Sequence, residues 1–172
     1  MSTPTTTPAP TRERLDLLET LTKHRGFLRQ TLDGITDEQA RTTSTVSALS
    51  LAAIVKHVTA VERMWRTFIH EGAEAFADAS PENYAAEWVV PAASTVTDLL
   101  ADYAAEAAIT DEMVATFPDL DAEHELPEAP WFPPGAAWSA RRVLLHIIAE
   151  SAQHAGHADI IREAIDGAKT MG

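Results

Sequence analysis

The sequence predicts an all-α protein, a four-helix bundle with a long loop ahead of its last helix. Two observations carry this expectation. Apolar residues recur near 3.6-residue spacing in four separate stretches. The segments between them are polar or proline-rich, with no two alternating runs joined by a hairpin signal. At 172 residues the chain suits one domain that buries a core without staples.

The elements follow in order. Residues 1–10 are rich in Ser, Thr and Pro and are expected to form a disordered tail, leaving 11–172 as the single domain. A first helix runs from Thr11 to Leu32 on Leu15, Leu18, Leu21, Phe27, Leu28 and Leu32, and Asp33-Gly34 ends it. The polar stretch ITDEQARTTS holds at most a short turn of helix. Ser50 caps a second helix that reaches Glu71-Gly72, with Leu51, Ile54, Val55, Val58, Val61, Trp65 and Phe68 on its apolar stripe. Residues 73–93 carry Pro81 and Pro91 and read as irregular. Ser94 caps a third helix built on Val96, Leu99, Leu100, Tyr103, Ile109, Met113 and Val114, which stops before Pro118. The longest break spans residues 118–138, acidic at first (DLDAEHELPE) and then APWFPPGAAWS, a length that usually marks a functional or disordered loop. Ser139 caps the fourth helix, which continues to Asp166-Gly167.

Charge and composition exclude several function classes. Thirteen basic against 26 acidic residues leave a net charge of −13, so nucleic acid and anionic lipid are poor partners. No apolar run approaches the ~20 residues that span a bilayer, and MSTPTTTPAPTRER lacks the apolar core of a secretory signal; a cytoplasmic location is expected. There is no cysteine. Disulfides, a Cys nucleophile and thiolate metal sites are therefore ruled out, and any metal must rest on His, Asp or Glu.

The histidines supply such a set. In HIIAESAQHAGHAD on the fourth helix, Glu150 and His154 stand four residues apart on one face. The stripe Val143–Ile147, continued at helical spacing, passes through both before reaching Ala158, Ile161 and Ile165. A carboxylate on a core stripe is costly unless paired or bound to a metal. On the second helix His57 lies one turn from Ile54 and Val61, at the edge of the buried stripe. His57, Glu150 and His154 together form a His₂Glu set that suits zinc with open positions for water or substrate. Taken singly, each is equally a core or surface residue, and spacing leaves His146 and His157 as alternative ligands or as donors that orient one. His24, His70 and His124 read as surface residues.

The segments LAAIVKHVTAVERMW and HIIAESAQHAGHADIIREAIDG resemble the DinB-like metal-binding bundles of actinobacteria. Within that superfamily the sequence is most similar to the branch of mycothiol-dependent enzymes such as maleylpyruvate isomerase. The resemblance implies an up-and-down four-helix bundle whose metal is held by one His of the second helix and two residues of the last. Many members carry His–xxx–His there; Glu150 departs from that and agrees with the His/Glu/His arrangement of the mycothiol-dependent branch. It thereby selects His57, Glu150 and His154, with His146 and His157 as neighbours.

The expected function is a metal-dependent thiol S-transferase or isomerase acting on small electrophiles. Zn²⁺ is the expected ion, with Ni²⁺ compatible, and mycothiol the expected cosubstrate. A metal-dependent hydrolase, or a non-catalytic stress-response bundle with a structural metal, uses the same ligands. Trp131 and Trp138 could wall a substrate site or plug the bundle end. Arg63, Arg141 and Arg142 are candidates for an anionic substrate or else solvated charges. The small residues Ala149, Ala152, Ala155 and Gly156 make a homodimer plausible.

Overall fold

The computed structural model describes residues 11–170; the expected tail at residues 1–10 lies outside them. Helix α1 (Arg12–Gln30) starts on Thr11, whose side chain accepts from the Arg14 N–H, and the chain turns at Gly34 with φ 69°. The short α2 (Asp37–Ala40) is held by a reciprocal cap between Thr36 and Gln39. Helix α3 (Leu51–Glu71) is capped by Ser50 and ends at Gly72, φ 65°. A 3₁₀ turn (Gly72–Phe76) and α4 (Pro81–Glu87) follow, then α5 (Val96–Thr116). Strands β1 (Glu123–Glu125) and β2 (Ala137–Ser139) pair antiparallel, His124 opposite Trp138, and β2 runs directly into α6 (Ala140–Asp166).

The four long helices form the expected bundle, α1 against α5 and α6, α3 against α5 and α6. Its core is in two parts. One joins the start of α1 (Leu17, Leu21) to the ends of α3 and α5 (Phe68, Val114) and the start of α6 (Val143, Ile147). The other joins the end of α1 (Leu28, Leu32) to the starts of α3 and α5 (Ile54, Tyr103) and the end of α6 (Ala158, Ile161). So α1 and α6 run one way and α3 and α5 the other: the four-helix bundle is as expected, but its order departs from simple up-and-down, because the long connection over residues 72–95 returns the chain so that α5 lies parallel to α3. Between the two apolar parts every long helix contributes a buried polar residue: Arg25, Glu62, Glu106 and Ser151. Burying such groups is tolerable because most are paired. Arg25 grips Glu62 with two hydrogen bonds (3.2 and 2.5 Å), and Glu106 accepts from Arg63 and Arg66 (2.9 and 2.6 Å).

Four further expectations need correction. The third helix is capped by Thr95 rather than Ser94, because Asp98 lies three residues on and closes the reciprocal cap. Residues 73–93 are not irregular: Ser80 caps α4 and Pro81 occupies its first turn, where a missing N–H costs nothing. The loop over residues 118–138 does contain a strand pair, too short for an alternation signal. His124 is half-buried rather than free on the surface; its ring packs edge-on to Phe68 at 5.8 Å.

Candidate metal centre

His57 projects from the second turn of α3, and Glu150 and His154 from successive turns of α6. One ligand atom of each lies within 4.8 Å of those of the other two. Among the described residues this is the one cluster of three or more acidic or imidazole side chains so arranged. His154 Nε2 is 3.5 Å from one Glu150 oxygen, and His146 Nε2 is 3.6 Å from the other. The His57 and His154 rings meet edge to face at 5.0 Å. The inward stripe of α6 in fact runs through Ser151 and Ala155, which are buried, while Glu150 retains 26% side-chain exposure. Its neighbours on the stripe are one position on, so Glu150 and His154 flank the core and face a cleft rather than lying within it.

Helix α4 completes the surroundings of His57. Trp88 stacks on the His57 ring at 3.9 Å with 18° between planes. Glu87 brings an oxygen to 3.3 Å from His57 Nδ1, but off the line of a hydrogen bond, and that nitrogen is buried without a partner. Lys56 Nζ donates to the Ala86 and Glu87 carbonyls (3.0 and 2.7 Å), fastening the end of α4 to α3. Burial, reinforced by the nearby His154, pushes the His57 pKa down to about 4. The hydrogen bond with His154 lowers that of Glu150 against the opposing effect of burial. A neutral imidazole beside an ionised carboxylate at neutral pH is the protonation state metal ligation requires. His154 Nδ1 is likewise buried without a partner. Two imidazoles and one carboxylate with unsatisfied nitrogens fit a divalent cation of the borderline class.

The triad opens into a cleft of about 1290 Å³. Tyr84 and Trp88 of α4 line one part of it, Trp131 and Phe132 of the loop before α6 another. Set beside known proteins, residues 16–167 match the family model described as mycothiol-S-transferase. The chain belongs to the mycothiol-S-transferase family. Membership implies mycothiol S-transferase activity, with mycothiol as a substrate. No curated protein matches the chain. Among solved structures, the crystal structure of a conserved protein of Enterococcus faecalis aligns with TM-score 0.66 over 92% of this chain and 99% of that one. At 18% identity that likeness speaks for the fold alone.

The other expected site residues of this mycothiol-S-transferase family member divide sharply. His146 flanks Glu150 and packs edge-on to Trp65 and Trp138 (4.7 and 5.1 Å), whereas His157 is half-buried and outside the cluster. The two tryptophans of the loop differ: Trp138 stacks on Trp65 at 4.8 Å and closes the bundle end, while Trp131 is 75% exposed on the cleft wall. Arg63 lines the cleft but is engaged by Glu106. Arg141 lies away from the cleft, paired with Glu13 and Asp121, and the Arg142 guanidinium sits 4.1 Å over Trp138. Sequence reasoning missed Tyr84, Glu87 and Trp88 altogether. The signal for them was Ser80-Pro81-Glu82, an N-cap followed by Pro at the first helical position.

Proposed function

We propose that this chain joins mycothiol, through its sulfur, to a small electrophile, with a divalent zinc ion held by His57, Glu150 and His154. The observation that carries the reading is the convergence of those three donors within 4.8 Å where the cleft meets the bundle. Nickel suits the same donors. When bound, such an ion supplies a Lewis acid that favours the thiolate form of a thiol at neutral pH. The chain's own groups do the rest. Trp88 and the end of α4 lock the His57 ring and keep water from it. His146 faces the second oxygen of Glu150 at 3.6 Å. In the reaction the sulfur forms a bond to the electrophilic carbon, the displaced group departs with its electron pair, and the thiol proton passes to solvent.

Three further readings accompany this one. Residues 11–172 act as a single domain. The chain works in the cytoplasm; no described helix is long and apolar enough to cross a membrane. It forms a homodimer through the outward row of α6, where Leu145 and Ile160 are 49% and 63% exposed around the small residues Ala149 and Gly156. Light scattering at micromolar concentration tests the dimer directly.

The activity test is transfer from mycothiol to monochlorobimane, followed by fluorescence. Turnover should require both thiol and metal, and His154→Ala should lower it by about 100-fold or more. Turnover of a labile ester without thiol would favour hydrolysis instead.

A further inference from the structure

We infer that the cleft selects an uncharged aromatic electrophile and discriminates against anionic ones, an inference that rests on the thiol-transfer reading above. The walls supply the aromatic preference. Tyr84 and Trp131 are 61% and 75% exposed, large for side chains of their kind, yet both face the same cleft as Trp88 and Phe132. Exposed rings gathered about one concavity are surfaces on which a flat, electron-poor ring can stack.

The charges supply the discrimination. Among the described residues lining the cleft, Asp78, Glu87 and Glu128 join Glu150 on the acidic side, and Arg63 is the one basic counterpart. Arg63 donates through Nε to buried Glu106 at 2.9 Å, a carboxylate it shares with Arg66, so it sets one partly engaged positive charge against the acidic groups. Lys56 is turned to the backbone carbonyls that end α4. The bound ion's own charge must be counted too. A divalent ion, the Glu150 carboxylate and one thiolate cancel, which leaves Asp78, Glu87 and Glu128 against Arg63, an acidic excess, to set the sign felt by the second substrate. Arg63 is the one arginine or lysine lining the cleft among the described residues, and its Nε is tied to Glu106, so a carboxylated electrophile meets more acidic than basic groups there. His57, nine-tenths buried with Nδ1 unpartnered at the same cleft, places this selection at the site of reaction.

An aryl chloride bearing nitro groups tests the idea with balanced chemistry. The thiol sulfur bonds to the ring carbon, chloride leaves with the electrons of the carbon–chlorine bond, and the thiol proton goes to water. The matched pair is methyl 4-chloro-3,5-dinitrobenzoate and its free acid, which differ in one negative charge. With metal-loaded full-length protein and mycothiol, kcat/KM normalised to the uncatalysed rate should favour the ester by about tenfold, from two or three carboxylates several ångströms away in a wet cleft. The double substitution Asp78→Asn/Glu128→Gln should narrow that ratio severalfold. Equal or preferred use of the acid, or a ratio unmoved by the substitutions, would overturn the inference. A second arm does not depend on turnover: unreactive methyl 3,5-dinitrobenzoate should quench tryptophan fluorescence at lower concentration than 3,5-dinitrobenzoate, and Trp131→Ala should weaken the ester. If neither chloride reacts yet the ester still binds better, the transferase reading fails and the charge selection stands; if the acid binds as well as the ester, the selection fails whatever the activity.

Discussion

Replacing Arg25 with methionine should destabilise the bundle far more than the loss of one surface charge. Arg25 is 5% exposed and holds Glu62, itself 1% exposed, through Nε at 3.2 Å and Nη2 at 2.5 Å. Its third contact, Asp111 at 2.7 Å, is 39% exposed at the side chain and can turn to water. Methionine fills much of the arginine stem but leaves the Glu62 carboxylate buried with no donor. Breaking one side of a buried pair costs about 3–5 kcal/mol. For a chain of this size that is a fall in Tm of roughly 6–20 °C. Arg25→Met/Glu62→Met removes both charges and should recover most of the loss, because apolar packing replaces a pair whose desolvation was costly. Urea unfolding followed by circular dichroism at pH 7 measures the full cycle. A single-variant loss below about 1 kcal/mol, or a double variant no more stable than the single one, would refute the view that this polar layer is held by pairing.

Three further outcomes follow from the site and its supports. Metal-free protein should lose stability as the pH falls from about 6.5 to 4: with His57 held at about 4 in the fold against 6.5 when unfolded, the unfolded chain binds the extra proton across that window. The His57 share is about 3 kcal/mol, complete above the window, and a wild-type slope no steeper than that of His57→Gln in urea unfolding would contradict it. Trp88→Ala uncovers the His57 ring, so it should weaken metal retention by about tenfold in competition with a chromogenic chelator; unchanged retention would deny α4 its role. Gly72→Ala should cost about 1–3 kcal/mol, because a side chain is strained at φ 65° and its Cβ would stand 2.9 Å from His124 Nδ1. A thermal shift under 1 °C would show that the turn gives way freely.

The bundle and the triad were legible because both rest on one strong period. Apolar spacing and the caps Ser50 and Ser139 bound α3 and α6 correctly, and Glu150 and His154 at four-residue spacing must share a face. What spacing could not show is which side of the stripe they occupy: a shift of one residue, from Glu150 to Ser151, separates the core from the cleft wall. The α4 segment was lost because Pro81 was read as a breaker when, after Ser80, it starts a helix; with it went Trp88, the ring that covers His57. Arg25 and Glu62 gave no local sign, since their pairing joins residues 37 positions apart and only the packed fold shows that they meet.

The central claim is that His57, Glu150 and His154 hold one divalent ion. Elemental analysis of protein purified without chelator tests it most directly, on wild type and on His154→Ala. The account predicts about one zinc or nickel per wild-type chain and a large loss in the variant. Wild type that remains empty after zinc is added back, or a His154→Ala protein that retains a full complement, would contradict it.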